Sequence, residues 1–165
     1  MKTLFIGGIK SGKSHLAERY ILEKNPAVKP YYLATTELLD TEMQQRIQAH
    51  KQRREEFFIT IEEPLKLYDT LKQCNRHVLV ECVTMWLNNA LYHQISENLI
   101  LQELDAVMQL PNKLVFVHNE VGFGIIPDNV LARRFVDLSG KASQMMAKNC
   151  EEVFFCSAGL KLKMK

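Results

Sequence analysis

Short apolar runs alternate along this chain with longer stretches in which apolar residues recur every three or four positions. The short runs predict buried strands at 3–6, 31–34, 57–61, 77–81, 113–118 and 152–156. The longer stretches predict helices at 14–24, 65–71, 96–110 and 129–148, and a capping box at 41–44 predicts another helix that starts there. This order predicts one α/β domain over residues 1–165, with a mostly parallel sheet and helices on both of its faces.

The last residues of the sequence depart from this alternation. Ser157-Ala158-Gly159 predicts a turn, and residues 160–164 alternate large apolar side chains with lysines. A strand that returns directly beside its predecessor runs antiparallel to it, and lysines protect an open sheet edge from pairing with other chains. We therefore expect a short antiparallel edge strand at the C-terminal side of the sheet.

The strongest motif is the glycine-rich stretch that follows the first predicted strand. Its sequence, Gly7-Gly8-Ile9-Lys10-Ser11-Gly12-Lys13-Ser14, fits G-x-x-x-x-G-K-[ST], the P-loop that surrounds nucleotide phosphates with backbone N–H groups. The helix behind it contributes its positive dipole end. Lys13 is expected to reach the β- and γ-phosphates, and the Ser14 hydroxyl to ligate Mg²⁺. Strand, motif and helix together predict nucleotide binding rather than a plain strand-to-helix connection.

Polar residues end three further predicted strands. Thr35 and Thr36 follow the second strand, and Glu62 follows the third. Ligands of open parallel sheets bind beyond the carboxyl ends of the strands, so these side chains are placed to meet a nucleotide; a plain turn and a rim carboxylate are the alternatives. The fourth strand ends in Glu81, the position of the Walker B acid that holds Mg²⁺ beside the phosphates. Glutamate is longer than the commoner aspartate, which favours coordination through water or a role as base.

The helix predicted after residue 41 carries a row of basic side chains. Arg46, His50 and Arg54 are spaced four apart on one face, and Lys51 and Arg53 flank them. Neighbouring cations on a helix repel each other by a few tenths of a kcal/mol per pair, which a polyanion across that face would relieve. A solvated basic face is the other interpretation, and spacing alone does not make His50 catalytic.

A loop of unusual composition follows the fifth predicted strand. The strand ends in a polar pair at 119–120, and Phe123, Ile125 and Ile126 would make the surface of the loop apolar. Loops at this edge of α/β sheets often carry function. That favours a substrate-facing loop over a plain connection into the next helix.

Composition and charge narrow the function further. Lys and Arg total 21 against 19 Asp and Glu, a balance that does not indicate nucleic-acid binding. No apolar run approaches the ~18 residues that a membrane span requires, and the sequence starts directly with a strand, which predicts no signal peptide. The four cysteines have neither C-x-x-C nor zinc spacing, so we expect reduced thiols in a cytoplasmic protein.

Taken together, the motifs resemble one enzyme family, the bifunctional adenosylcobinamide kinase / adenosylcobinamide-phosphate guanylyltransferase of cobalamin biosynthesis. The matching stretches occur in the family's order at 7–14, 32–35, 42–50, 62–64, 79–84, 119–127 and 132–140. P-loops occur in many folds, whereas the Arg-Ile-x-x-His run that ends at His50 and the Asn-Glu-Val-Gly run that starts at Asn119 are far more specific. The fold expected from this resemblance is an α/β fold of the P-loop NTPase type (RecA-like).

The resemblance implies two reactions on a corrinoid substrate. In the first, GTP or ATP phosphorylates the aminopropanol hydroxyl of adenosylcobinamide. In the second, GTP transfers GMP to a histidine and releases pyrophosphate, and adenosylcobinamide phosphate takes up the GMP to give adenosylcobinamide-GDP. The family's histidine falls on His50. A neutral imidazole is a good nucleophile near neutral pH, and Lys13, the P-loop amides and Mg²⁺ would take up charge on the departing pyrophosphate.

The family's nucleotide contacts transfer to matching positions of this sequence. They fall on Gly7, Gly8, Ile9, Lys10, Ser11, Gly12, Lys13, Ser14, Ala34, Thr35, Thr36, Lys51, Gln52, Arg53, Arg54, Glu62 and Glu81. Among these, Ser14 and Glu81 are the expected Mg²⁺ ligands, and Lys13 joins His50 as a catalytic residue. The resemblance also implies a homotrimer, and from composition we expect neither a nucleic-acid partner nor a membrane span.

One position of the sequence departs from the family's usual pattern. Lys10 stands where the family usually has Arg, which keeps the charge and loses bidentate geometry.

Two other functions stay open. A small-molecule kinase that uses the same P-loop without guanylyl transfer is the first alternative. The second is a GTP-dependent switch, against which the lack of an Asn-Lys-x-Asp run counts.

Overall fold

The structure, a computed structural model, describes residues 1–37 and 56–165. Seven strands lie in this part of the chain: β1 (Lys2–Gly7), β2 (Tyr31–Ala34), β3 (Ile59–Glu62), β4 (Val78–Glu81), β5 (Leu114–Asn119), β6 (Glu152–Ser157) and β7 (Leu160–Lys163). The helices of the same residues are α1 (Lys13–Lys24), α2 (Leu67–Gln73), α3 (Val83–Tyr92), α4 (Glu97–Gln109) and α5 (Val130–Asn149). The helix predicted to start at residue 41 lies outside the described residues.

The strands form one sheet in the order β3-β2-β4-β5-β1-β6-β7. All neighbours pair in parallel except β6 and β7, which are antiparallel. One strand, β5, therefore separates the P-loop strand β1 from β4, which ends in Glu81. The predicted α/β fold with a mostly parallel sheet and its antiparallel C-terminal edge strand are confirmed.

Both faces of the sheet are buried by helices. Leu4 and Ile6 of β1 point into a layer formed with α2, α3, α4 and α5, whereas Phe5 between them packs with Ala17, Tyr20 and Ile21 of α1 on the other face. Successive strand residues point to opposite faces, so β1 must be apolar throughout. Fully burying one such large apolar side chain contributes about 1.5–3 kcal/mol.

The start of β3 differs from its prediction. The apolar run predicts a strand at 57–61, but β3 begins at Ile59 and extends to Glu62. Phe58 is buried and packs edge-on against Tyr32, with 5.6 Å between ring centroids, whereas Phe57 is exposed. The run thus contains an aromatic anchor ahead of the strand, which an apolar pattern cannot distinguish from a strand residue.

Two expectations from composition can be compared with the fold. All four cysteines (Cys74, Cys82, Cys150 and Cys156) are buried free thiols. Among the described residues, no helix is both long enough and apolar enough to cross a membrane.

Candidate nucleotide-binding site

The P-loop joins β1 to α1 through a turn that requires glycine at two positions. A Cβ atom on Gly7 would lie 2.2 Å from the carbonyl oxygen of Cys156 in β6. Gly12 has a φ of 89°, and a Cβ there would lie 2.9 Å from the Cα of Gly159. Nothing lies within 4 Å of a Cβ built on Gly8, so the backbone is open to a close ligand at that point. These three glycines thus fit a phosphate cradle.

The turn between β6 and β7 supports the P-loop from the end of the sequence. The Gly159 N–H donates to the carbonyl oxygen of Ser11 at 2.9 Å. Gly159 adopts a φ of 77°, a left-handed conformation that glycine reaches without strain. Lys10 in the P-loop also has a positive φ, of 59°, and Ile9 beside it is exposed. The loop conformation therefore depends on a contact with the C-terminal hairpin as well as on its own residues.

The first two residues of α1 direct polar atoms into the loop. Lys13 is only 6% exposed, and its Nζ donates to the carbonyl oxygen of Gly8 at 3.0 Å. No ion pair to Lys13 is found within the described residues. Burying a cation without an anion is costly, so this ammonium group is suited to a phosphate ligand.

Ser14 connects the P-loop to the acidic end of β4. Its Oγ donates to Oε1 of Glu81 at 2.9 Å, which brings together the two residues predicted to ligate Mg²⁺. Hydroxyl and carboxylate oxygens are hard ligands of the kind that Mg²⁺ binds beside phosphates. Nearby, Ser11 Oγ is buried without a hydrogen-bond partner among the residues that the structure describes. The oxygens of this site therefore suit a Mg²⁺ ion bound together with nucleotide phosphates.

The remaining predicted contacts at the described strand ends lie at the same edge of the sheet. Ala34 is in register with Glu81 on one side and with Glu62 on the other. Glu62 is exposed and Thr36 is half-buried. The parallel sheet thus brings these residues to the edge that also carries the P-loop.

Thr35 lies at this edge too, but its hydroxyl faces the protein interior. The residue is fully buried, and its Oγ1 donates to the carbonyl oxygen of Cys82 at 2.7 Å and accepts from the Cys82 N–H at 2.9 Å. These bonds fix the backbone directly after Glu81. The side chain of Thr35 therefore has a visible positioning role, and its predicted contact with a nucleotide stays a prediction.

A buried polar network that sequence reasoning missed lies behind the site. His118 at the end of β5 bonds through Nδ1 to Thr84 Oγ1 at 3.1 Å and through Nε2 to Ser139 Oγ at 3.0 Å. The Thr84 hydroxyl also accepts from the Asn119 N–H at 2.7 Å. Burial lowers the pKa of His118 to about 4, so the imidazole is neutral at physiological pH. The only feature of the sequence that could have indicated this network was a histidine at the end of an apolar strand.

Asn89 of α3 is a second residue that the sequence analysis did not select. It is 2% exposed, and its Nδ2 donates to the carbonyl oxygens of Thr35 at 2.7 Å and Pro64 at 3.1 Å. Trp86 on the same helix donates from Nε1 to the carbonyl oxygen of Leu65 at 2.8 Å. Helix α3 thereby ties together the segments that follow β2 and β3. The feature of the sequence that could have indicated this role was the amide of Asn89 among the apolar residues of the helix.

Five predicted site residues lie outside the described residues. They are His50, Lys51, Gln52, Arg53 and Arg54. Their roles in nucleotide binding and guanylyl transfer stay predictions from sequence.

Comparisons with known proteins identify relatives that match along the full chain. The bifunctional adenosylcobalamin biosynthesis protein CobP of Pseudomonas aeruginosa is 40% identical over 171 residues, covering 100% of this chain and 98% of that protein. The bifunctional adenosylcobalamin biosynthesis protein CobU of Escherichia coli is 35% identical over 184 residues, covering 100% of both.

Solved structures with a related shape are more distant. The flagellar accessory protein FlaH from Methanocaldococcus jannaschii matches with a TM-score of 0.48 at 8% identity, over 93% of this chain and 70% of that one. A KaiC-like protein from Pyrococcus horikoshii matches with a TM-score of 0.43 at 11% identity, over 93% of this chain and 69% of that one.

The profile of one protein family covers almost the whole sequence. The family is described as cobinamide kinase / cobinamide phosphate guanyltransferase, and its profile matches residues 3–164. Together with full-length relatives at 35% and 40% identity, this match means that the chain belongs to the cobinamide kinase / cobinamide phosphate guanyltransferase family.

Proposed function

We propose that this protein phosphorylates adenosylcobinamide and then joins GMP from GTP to the resulting phosphate, giving adenosylcobinamide-GDP. The observation that carries the proposal is the contact of Ser14 with Glu81 beside the buried Lys13, in a chain that resembles bifunctional relatives over its full length. A P-loop lysine and an acid-terminated strand are the parts that phosphoryl transfer from a nucleoside triphosphate requires.

In the kinase step, the residues of the site bind and orient the triphosphate. P-loop N–H groups hold its phosphates, and Lys13 exchanges its bond to Gly8 for phosphate oxygens. Ser14 and Glu81 would hold Mg²⁺, whose chemistry is to neutralise charge on the β- and γ-phosphates. The aminopropanol hydroxyl of the corrinoid attacks the γ-phosphorus and releases its proton to solvent, the bond from that phosphorus to the bridging oxygen breaks, and the nucleoside diphosphate leaves.

We propose that the guanylyl step proceeds through His50. A ring nitrogen attacks the α-phosphorus of GTP, and the bond to the bridging oxygen breaks with release of pyrophosphate. A phosphate oxygen of adenosylcobinamide phosphate then attacks the same phosphorus, and cleavage of the P–N bond regenerates the imidazole. The basic residues Lys51, Arg53 and Arg54 would neutralise charge at the reacting phosphorus. This step rests on the family motif and the full-length relatives.

Intact-protein mass spectrometry after incubation with GTP and Mg²⁺ tests the histidine step. We expect wild type to gain the mass of one GMP, in an acid-labile form, and His50→Ala to gain nothing. His77→Ala is the matched control, because His77 precedes β4 at the opposite edge of the sheet, and it should still be labelled. An unlabelled wild type that nevertheless transfers the γ-phosphate to cobinamide would instead support the simple kinase.

The proposal also covers the substrate of the enzyme, its oligomeric state and its cellular compartment. The substrate is a corrinoid, and the family resemblance supports a homotrimer, which sedimentation equilibrium would measure. Four buried free thiols support work in a reducing compartment such as the cytoplasm. If added cobinamide left nucleotide turnover unchanged, the GTP-switch alternative would take the place of this proposal.

A further inference from the structure

A polar cavity lies beside the P-loop, between α5 and the loop that follows β5. It has a volume of about 310 Å³, and its lining includes Glu120, Asp137, Lys141 and Gln144. Carboxylates accept hydrogen bonds, an ammonium group donates them, and an amide does both. The cavity therefore offers donors and acceptors to the same ligand, and the P-loop chemistry uses none of these four residues.

The cavity is built on fixed supports next to the nucleotide site. The Glu120 N–H donates to the carbonyl oxygen of Gly7 at 2.9 Å, which joins the cavity wall to the first P-loop residue. The Glu120 carboxylate is held in turn by the Gly122 N–H, 2.6 Å from Oε1. Ser139, a further lining residue, is bonded to the buried His118. Two of the lining residues are thus held in place by bonds to the P-loop, to their own loop and to the buried histidine.

Large exposed apolar side chains follow in the same loop whose first residues line this cavity. Val121 and Gly122 line the cavity, and the next residues include Phe123, Ile125 and Ile126, which are 81%, 96% and 79% exposed. We call these three residues the apolar crest. The ring of Phe123 lies 6.0 Å from that of Phe155 in β6, which places this member of the crest beside the strand next to the P-loop strand. Exposed apolar patches bordered by polar groups commonly mark binding sites.

We propose that the polar cavity and the apolar crest together bind the corrinoid acceptor. A corrinoid has a wide apolar ring face and carries primary amide arms around its edge. Each amide presents two donors and one acceptor, which matches carboxylates that stand beside a lysine and a glutamine. A free anion would meet Glu120 and Asp137, whereas a neutral amide meets every group of the lining favourably. This inference rests on the proposed function, because it assigns the acceptor half of the same reaction.

The position of the cavity also suits phosphoryl transfer. Its wall is bonded to Gly7, where the phosphate loop begins, so an amide arm held there keeps the ring near the nucleotide. The aminopropanol arm of the same ring can then extend along the sheet edge toward Lys13. Holding acceptor and donor side by side is itself a large part of the catalysis of a two-substrate reaction.

Equilibrium dialysis of adenosylcobinamide, followed by its visible absorbance, tests this assignment. We expect Asp137→Ala and Ile125→Ser each to raise the dissociation constant about tenfold, through a lost charged hydrogen bond and lost apolar contact. Asp105→Ala and Leu99→Ser, on the exposed side of α4, are the matched controls and should bind as wild type does. GTP affinity, measured on the same preparations, reports whether each variant is folded.

The outcomes separate this inference from the function on which it rests. A wild type that binds no adenosylcobinamide rejects the proposed function. A wild type that binds it, with Asp137→Ala and Ile125→Ser unaffected, overturns the present assignment and leaves the function intact. If Ile125→Ser lowers the oligomeric mass in sedimentation without changing corrinoid affinity, the apolar crest is a face between copies of the chain, which also overturns the proposal.

Discussion

At the scale of single residues, Thr35 shows how a hydroxyl beside the candidate site can hold the backbone in place by hydrogen bonds. Replacement by the isosteric Thr35→Val leaves the buried N–H and C=O groups of Cys82 without their side-chain partner. We expect a loss of about 1–3 kcal/mol in the free energy of unfolding, measured with urea, and near-complete recovery in Thr35→Ser. Unchanged stability with weakened GTP binding would contradict this role and favour a direct nucleotide contact.

A second prediction at this scale concerns the stability of the protein in acid. The pKa of His118 is lowered by burial to about 4, against about 6.5 in an unfolded chain. Between these values the unfolded chain binds more protons than the folded one, so the free energy of unfolding falls as the pH falls from 6.5 toward 4. The loss from this group amounts to about 3 kcal/mol over the window.

The comparison with His118→Gln isolates that effect. Glutamine does not titrate, so the stability advantage of wild type over this variant should shrink steadily from pH 7 to pH 4. Burial also lowers the pKa of His77, which destabilises both proteins equally and cancels in the difference. A pH-independent difference in chemical denaturation would show that His118 is not neutral and buried in the folded protein.

At the scale of secondary-structure elements, α3 is the helix that bonds to several strand ends at the edge of the sheet that carries the P-loop. It starts just after β4, and its Thr84 side chain bonds to the last residue of β5, whereas Trp86 and Asn89 bond to the segments that follow β3 and β2. Three of the four strands on that side of β1 thereby have their ends held by one helix. The packing of α3 therefore determines where the strand-end residues of the site lie.

The neighbouring asparagines of α3 allow a matched test of that role. Asn89→Ala removes both bonds to the carbonyl oxygens of Thr35 and Pro64, whereas Asn88 is exposed. We expect Asn89→Ala to lower the free energy of unfolding by about 1–3 kcal/mol, and Asn88→Ala to change it by less than about 0.5 kcal/mol. Equal effects of the two substitutions in thermal or urea unfolding would refute the role of Asn89.

The elements themselves follow largely from local sequence. Apolar runs located every strand of the described chain to within about two residues, and the P-loop motif located the glycine-rich turn between β1 and α1. The Ser14–Glu81 contact was also predictable, because ends of parallel strands meet at one edge. The bonds of Thr35 to Cys82 were not, since they join residues 47 apart through hydroxyl geometry that no periodic pattern contains. The role of His50 stays a prediction.

At the scale of the whole molecule, the first and last loops of the sheet depend on each other. Gly12 packs against Gly159, and the Gly159 N–H bonds to Ser11, because β1 and β6 are neighbours while β7 turns back beside them. A Cβ on Gly159 would meet nothing within 4 Å, so the requirement for glycine there comes from its φ of 77° alone. Gly12, by contrast, has both a positive φ and a close contact.

These two glycines should therefore differ in their tolerance of substitution. We expect Gly159→Ala to lower the free energy of unfolding by about 1–2 kcal/mol through left-handed strain, with Gly159→Asn milder because asparagine tolerates that conformation. Gly12→Ala adds a steric clash and should abolish GTP binding measured by calorimetry. If Gly159→Ala bound GTP less well than Gly12→Ala, the assignment of the steric contact to Gly12 would be wrong.

The contact between Gly12 and Gly159 also bears on the order of events during synthesis. The phosphate loop leaves the ribosome well before Gly159, the glycine that supports it, is translated. A nascent chain that has emerged only as far as β5 carries the motif without its support. We therefore expect GTP to protect the polypeptide from proteolysis only after the hairpin of β6 and β7 has emerged and can fold.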